Sequence, residues 1–222
     1  MLFENRFHAG QILAEAVDHY RDRSDVLVLA LPRGGVPVAF EVAKALRAPL
    51  DVFLVRKVGL PGHEELAIGA IASGGITVIN HETVDEFHIP EQEVRRLAAK
   101  ELVELKRRER EYRGNRPAPF VSNRVVILVD DGLATGSTMR AAVVALRQQH
   151  PKRLVVAVPV AAATTCNEFR DEVDETICAI TPSPFFAVGM WYDDFEQVTD
   201  EEVKQLLAEA AQWSKQPTLQ MH

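Results

Sequence analysis

The chain has 222 residues, 47% of them apolar, and a formal net charge of −7. That is enough apolar material for one large α/β domain, or a domain with a small subdomain. The acidic balance argues against a general nucleic-acid surface, and no apolar run approaches the ~20 residues that span a bilayer.

The stretch Met1-Leu2-Phe3-Glu4-Asn5-Arg6 has no apolar h-region and no cleavage site, so a cytoplasmic protein is expected. Cys166 and Cys178 lie too far apart for a CxxC motif and are expected to be reduced, sitting in or near the core as small hydrophobes.

Phe7 to Tyr20 reads as a helix with Ile12, Leu13, Ala16, Val17 and Tyr20 on one face. His8 and His19 lie near its ends without clustered metal ligands, and are expected to be solvated or packed. Val26 to Leu31 is a strand that runs into Pro32-Arg33-Gly34-Gly35, and a helix from about Val36 to Leu46 follows, with Pro37 tolerated in its first turn. Asp51 to Val55 is a second strand, ending in Arg56-Lys57. The stretch Val58 to Glu65 is expected to be a mobile loop. Strands resume at Ile68 to Ala72 and Ile76 to Ile79, turned by Ser73-Gly74-Gly75.

Pro90 to Tyr112 carries an apolar stripe of Val94, Leu97, Ala98, Leu102 and Leu105, with Glu91–Arg95 and Glu104–Arg108 spaced for i,i+4 pairs. The basic run from Lys106 to Arg110 is interleaved with glutamate and has no aromatic platform, so it reads as a solvated helix end. A connector with Pro117 and Pro119 leads to the most informative segment. Val125 to Val129 is a strand, then come Asp130-Asp131, then Gly132-Leu133-Ala134-Thr135-Gly136-Ser137-Thr138, then a helix from Met139 to Gln149. Arg153 to Val160, a short helix near Thr164 to Arg170, and Thr176 to Ile180 complete the alternation. That alternation predicts a central parallel sheet flanked by helices.

The residue types after Val129 suit a specific chemistry. Gly132 and Gly136 let successive backbone N–H groups turn toward one point, and a helix start beside such a nest attracts phosphate. Thr135, Ser137 and Thr138 add hydroxyl donors. An acid pair just before this cradle suits a ligand with hydroxyls next to its phosphate, as in a ribose 5-phosphate. As a plain βα turn, Asp131 would serve only as a helix cap.

At these residues the chain resembles the type I phosphoribosyltransferases, whose loop for phosphoribosyl pyrophosphate (PRPP) has this strand, acid pair and Thr-Gly-rich turn. Three further segments resemble parts of the same family in the same order. Arg33-Gly34-Gly35 is similar to its pyrophosphate loop, where a cis peptide is often found. Arg56-Lys57-Val58-Gly59-Leu60-Pro61-Gly62 is similar to the flexible loop of adenine phosphoribosyltransferases. Phe186-x-Val188-Gly189-x-x-x-Asp193 resembles the hood of hypoxanthine-guanine phosphoribosyltransferases.

The resemblance implies a single domain over residues 1–214, with a core at about 24–182, hood elements at about 1–20 and 183–214, and a tail at 215–222. It implies transfer of the 5-phosphoribosyl group of PRPP to a base, with Mg²⁺ held mainly through substrate and water, in a homodimer. Ala134, Thr135, Gly136, Ser137 and Thr138 would hold the 5-phosphate, and Asp130 and Asp131 the ribose. Arg33, Gly34, Gly35, Arg56 and Lys57 would hold pyrophosphate, Phe186, Val188 and Asp193 would face the base, and Glu65 or Glu64 would exchange a proton with it. The partners are thus PRPP and a base, with no nucleic acid and no membrane.

Two departures leave the acceptor open. Ala134 stands where 6-oxopurine enzymes carry an acid, and Val158-Pro159-Val160 lacks their lysine. The loop is adenine-like and the hood oxopurine-like. A PRPP or nucleotide sensor on the same fold is the alternative; it would not need Lys57, Glu64 or Glu65.

Overall fold

A computed structural model describes residues 2–60 and 63–213, with the backbone alone for 63–66. In chain order, helix α1 (Arg6–Ala16) leads to strand β1 (Val26–Ala30), helix α2 (Gly35–Leu46) and strand β2 (Leu50–Val52). An antiparallel ribbon follows: β3 (Val55–Leu60), β4 (His63–Ala72) and β5 (Ile76–Ile79). Helices α3 (His81–Glu86) and α4 (Glu91–Arg113) return the chain to β6 (Val125–Val129) and α5 (Ser137–Arg147). Then come β7 (Arg153–Val160), α6 (Ala163–Glu172), β8 (Glu175–Ile180) and α7 (Asp200–Trp213).

The expected parallel sheet is present, with five strands in the order β2-β1-β6-β7-β8. Its strands read as unbroken apolar runs because helices cover both faces. Alternate residues feed two cores. Val26, Val28, Ala30, Ile127 and Val129 pack with Leu13, Phe40, Leu105 and Leu207 of α1, α2, α4 and α7. Leu27, Leu29, Val126 and Leu128 pack with Met139, Leu146 and Phe169 of α5 and α6.

Four expectations change. The loop predicted over Val58–Glu65 is instead paired backbone on either side of residues 61–62: Val58 pairs with Gly69 and Leu60 with His63, with register shifts around Gly59. The reason is burial, since Val58, Ile68 and Ile71 sit in the core. Residues 61–62 and the tail 215–222 lie outside the described residues. The predicted strand Asp51–Val55 divides, because Leu54 and Ser73 exchange hydrogen bonds that start the ribbon there.

The cysteines are not reduced. Cys166 on α6 and Cys178 on β8 form a disulfide, the helix returning to the sheet within 12 residues so that their Cα atoms lie 6.6 Å apart. Cys166 is buried as expected; its thiol state is the correction. Finally, a helix not expected from the sequence, α7, closes the described chain, opened by a capping box in which Glu202 N–H donates to Thr199 Oγ1 and Thr199 N–H donates to Glu202.

One buried ion pair ties the layers together. Arg113, at the end of α4, donates to Asp51 Oδ1 at 2.9 Å and to the Val52 carbonyl at 2.6 Å on β2. Both residues are almost fully buried, at 6% and 9% exposure.

Candidate functional site

The register aligns Ala30 with Val129 and Val129 with Ala157, so β1, β6 and β7 end near one edge of the sheet. Loops leaving the carboxyl ends of parallel strands form the ligand crevice in sheets of this kind. Two of them meet here. Pro32 and Arg33 are joined by the cis peptide that the resemblance implies, and Gly35 N–H closes the turn on the Leu31 carbonyl.

The second loop begins with the acid pair. Asp130 Oδ1 accepts the Asp131 N–H at 2.9 Å, and Tyr192 OH donates to the Asp131 carbonyl at 2.6 Å. Arg6 Nε donates to Asp131 Oδ2 at 2.9 Å. Burial, and then the neighbouring Asp131 charge, push the Asp130 carboxyl well above the usual carboxylate range. Burial also raises Asp131, against the opposing pull of Arg6. The two loops touch at glycines: a β-carbon at Gly35 would stand 2.8 Å from the Val129 carbonyl oxygen, and Gly34 lies beneath the Asp131 carboxylate.

Beyond the acids the loop is set from below. Thr165 Oγ1 donates to the Ala134 carbonyl at 2.6 Å, and Arg140 Nη1 donates to the Thr135 carbonyl at 2.8 Å. Arg140 is itself held by Glu168 and Glu172 and lies over the Phe169 ring. Gly136 has φ +71° and rests on Phe169 so closely that a β-carbon would stand 2.6 Å from its ring. Ala134, Thr135, Ser137 and Thr138 are left exposed along the upper side and the start of α5. That helix N-terminus and its free N–H groups make the exposed surface anion-attracting.

Successive strand residues point to opposite faces. On β3 this separates the two predicted cations. Lys57 Nζ reaches Ser137 Oγ at 2.9 Å, whereas Arg56 turns to Glu101 on α4 at 2.6 Å. Lys57 therefore joins the loop and Arg56 does not. Glu64 and Glu65 lie on β4, and their side chains fall outside the described residues.

Of the three residues predicted for the base, Val188 packs directly over Gly132. Phe186 is 74% exposed, and Asp193 is exposed with its N–H donated to the Phe3 carbonyl. Arg6, Tyr192, Arg140, Thr165 and Phe169 are the contacts that sequence reasoning missed. None is a named position of a motif, Tyr192 being an unspecified position within the Phe186–Asp193 pattern; only the fold brings them to the loop. Among the described residues, no group of three or more His, Cys, Asp or Glu side chains is placed to hold a metal ion.

The sequence model of the family described as "Phosphoribosyl transferase domain" matches residues 4–194. Two Mycobacterium tuberculosis proteins are each 43% identical over 209 residues: "Putative phosphoribosyl transferase Rv0571c" of strain H37Rv and "Putative phosphoribosyl transferase MT0597" of strain CDC 1551. Each match covers 94% of this chain and 47% of the relative, so the chain spans about half the length of these curated relatives. The crystal structure of TT1426 from Thermus thermophilus superimposes with a TM-score of 0.82 at 43% identity, covering 94% of this chain and 99% of that one.

Proposed function

The chain belongs to the phosphoribosyl transferase domain family, and from that premise we propose that it transfers the 5-phosphoribosyl group of PRPP to a nitrogenous base, purine-like by preference, with release of pyrophosphate. The observation that carries this reading is the meeting of Lys57 with Ser137, on the loop that follows the acid pair. A cation from the ribbon stands at the helix N-terminus that the loop opens. It is placed for an anion shared between them.

In this reading the amides and hydroxyls of Ala134 to Thr138 bind the 5-phosphate. Asp130 and Asp131 accept from the ribose hydroxyls; Asp131 keeps acceptor capacity beyond the one oxygen that Arg6 occupies. As the bond from the anomeric carbon to pyrophosphate breaks, positive charge grows on the sugar and the acid pair favours it. Arg33, Gly34, Gly35 and Lys57 hold the departing pyrophosphate, and a ring nitrogen of the base forms the new bond. Glu65 is assigned the proton exchange with the base. Mg²⁺ would be held mainly through pyrophosphate and ribose oxygens and water, and that ion would neutralise charge on the pyrophosphate.

Calorimetry with PRPP and Mg²⁺, followed by a nucleobase panel read by pyrophosphate release, tests the proposal. No PRPP binding sinks it. Binding without release by any base favours the second reading, a PRPP or nucleotide sensor. That reading draws support from Arg56, which is committed to Glu101, and from the open face at Phe186.

A further inference from the structure

Asp131 is gripped by a side chain 125 positions away in sequence. We propose that Arg6 is a positioning residue for phosphoribosyl transfer: it aims the Asp131 carboxylate at the ribose and ties the acceptor-side aromatic segment to that same carboxylate. The inference rests on the donor reading above and adds one residue to its machinery.

Arg6 is placed by pairing between the two ends of the chain. Phe3 bridges Tyr192 as a parallel pair, Phe3 N–H donates to the Trp191 carbonyl, and Asp194 N–H donates to the Glu4 carbonyl. Asn5 then caps α1 by accepting the His8 N–H at 3.0 Å, which puts Arg6 at the first helical position. From there the guanidinium is used on three sides. Nε holds Asp131 Oδ2, Nη1 donates to the Glu196 carbonyl at 2.7 Å, and Cζ lies 3.9 Å from the Phe195 ring centre. A planar fork can do this; a compact ammonium can meet only part of it.

Position and charge act together. The groups facing the Asp131 carboxylate are Arg6 from α1 and Asp130 from its own loop, with the Tyr192 phenol on the Asp131 carbonyl. Arg6 is thus the cation that opposes burial, which favours a proton on Asp131. Without it, Asp131 would lose both its aim and the cation that opposes its protonation. The ring of Phe195 would lose the cation that anchors it, and with it the fixed distance between the C-terminal segment and the acids.

The test has a ligand-free arm and a ligand arm. Carboxyl ¹³C NMR of Asp131 is titrated in wild-type and Arg6→Gln protein, and PRPP binding with Mg²⁺ is followed by calorimetry from about pH 5.5 to 8.5. The midpoint of Asp131 is expected to rise in Arg6→Gln, with PRPP affinity down by about tenfold for each unit of that rise at the acid end and by less at the alkaline end. Arg6→Lys, which keeps the charge, is expected to recover the midpoint and part of the affinity; this variant also serves if Arg6→Gln fails to fold. A wild type that binds PRPP, with an unmoved midpoint or unchanged or tighter binding in Arg6→Gln, overturns this inference alone. A wild type that binds no PRPP while the midpoint still moves sinks the donor reading, and this inference with it.

Discussion

The carboxylate of Asp131 lies over Gly34 so closely that a β-carbon there would stand 2.0 Å from Oδ2. The glycine of the first loop is therefore required by an acid of the second, and the two loops form one unit. Gly34→Ala must displace the carboxylate or the loop. We expect PRPP affinity to fall by at least about tenfold, with a stability loss of about 1–3 kcal/mol from the clash. Calorimetry and thermal unfolding on the same protein check both; unchanged binding would show that the contact is incidental.

Asp130→Asn should stabilise the fold while it weakens ribose binding. The folded-state carboxyl is raised by burial and by the Asp131 charge, so the folded protein binds a proton more tightly than the unfolded chain. The sign follows: this favourable contribution is present below the unfolded Asp value of about 3.9 and is lost as pH rises through the folded value. Above the unfolded Asp value the buried carboxyl therefore works against folding. Asn keeps the acceptor for the Asp131 N–H and removes one charge. Its melting temperature should exceed that of the wild type at pH 7, and the gap should close toward pH 4.

Arg113→Ala removes the partner of Asp51 in the interior, where burial outweighs the Arg113 charge and already holds that carboxyl above its usual range. Breaking such a buried pair costs about 3–5 kcal/mol. Urea unfolding should show that loss, and Asp51→Asn in the same background should recover part of it. A loss below about 1 kcal/mol would mean that water reaches Asp51.

Lys57→Met should separate binding from stability. Its ammonium is exposed and meets Ser137 alone in the structure described, so the change in folding free energy should stay within about 0.5 kcal/mol. Pyrophosphate release should fall sharply, with turnover affected more than PRPP affinity if Lys57 acts on the leaving group. Equal stability and equal turnover would remove Lys57 from the site.

Reduction of Cys166–Cys178 should lower stability by about 2–4 kcal/mol, the range expected for a closed loop of this size. Denaturant melts with and without dithiothreitol measure it. Cys166 neighbours Thr165, whose hydroxyl holds the Ala134 carbonyl. PRPP affinity is therefore expected to drop modestly as well.

What could be read from sequence was local. Val125 to Arg147 carries strand, acids, turn and helix in one ungapped run, and the structure has them in that order. Arg33-Gly34-Gly35 was readable for the same reason. Arg6 was not, because nothing near it in sequence marks the partner it meets through the pairing of chain ends. Thr165 and Phe169 look like any helix residues until α6 folds beneath the loop. The disulfide was hidden in the same way, with one cysteine on a helix and the other on a strand. By contrast, α7 had a readable capping box in Thr199 and Glu202 and an apolar spacing at Val203, Leu206, Leu207 and Ala210. Its absence from the expected elements is a missed signal.

The seat under the phosphate loop bears on how a ligand is met. With Thr165, Arg140 and Phe169 already fixing the backbone from Ala134 to Gly136, little chain ordering remains to be done when an anion arrives. Selection at this edge then acts by fit. The heat-capacity change on binding PRPP should be small, and the encounter should depend more on ionic strength than on temperature.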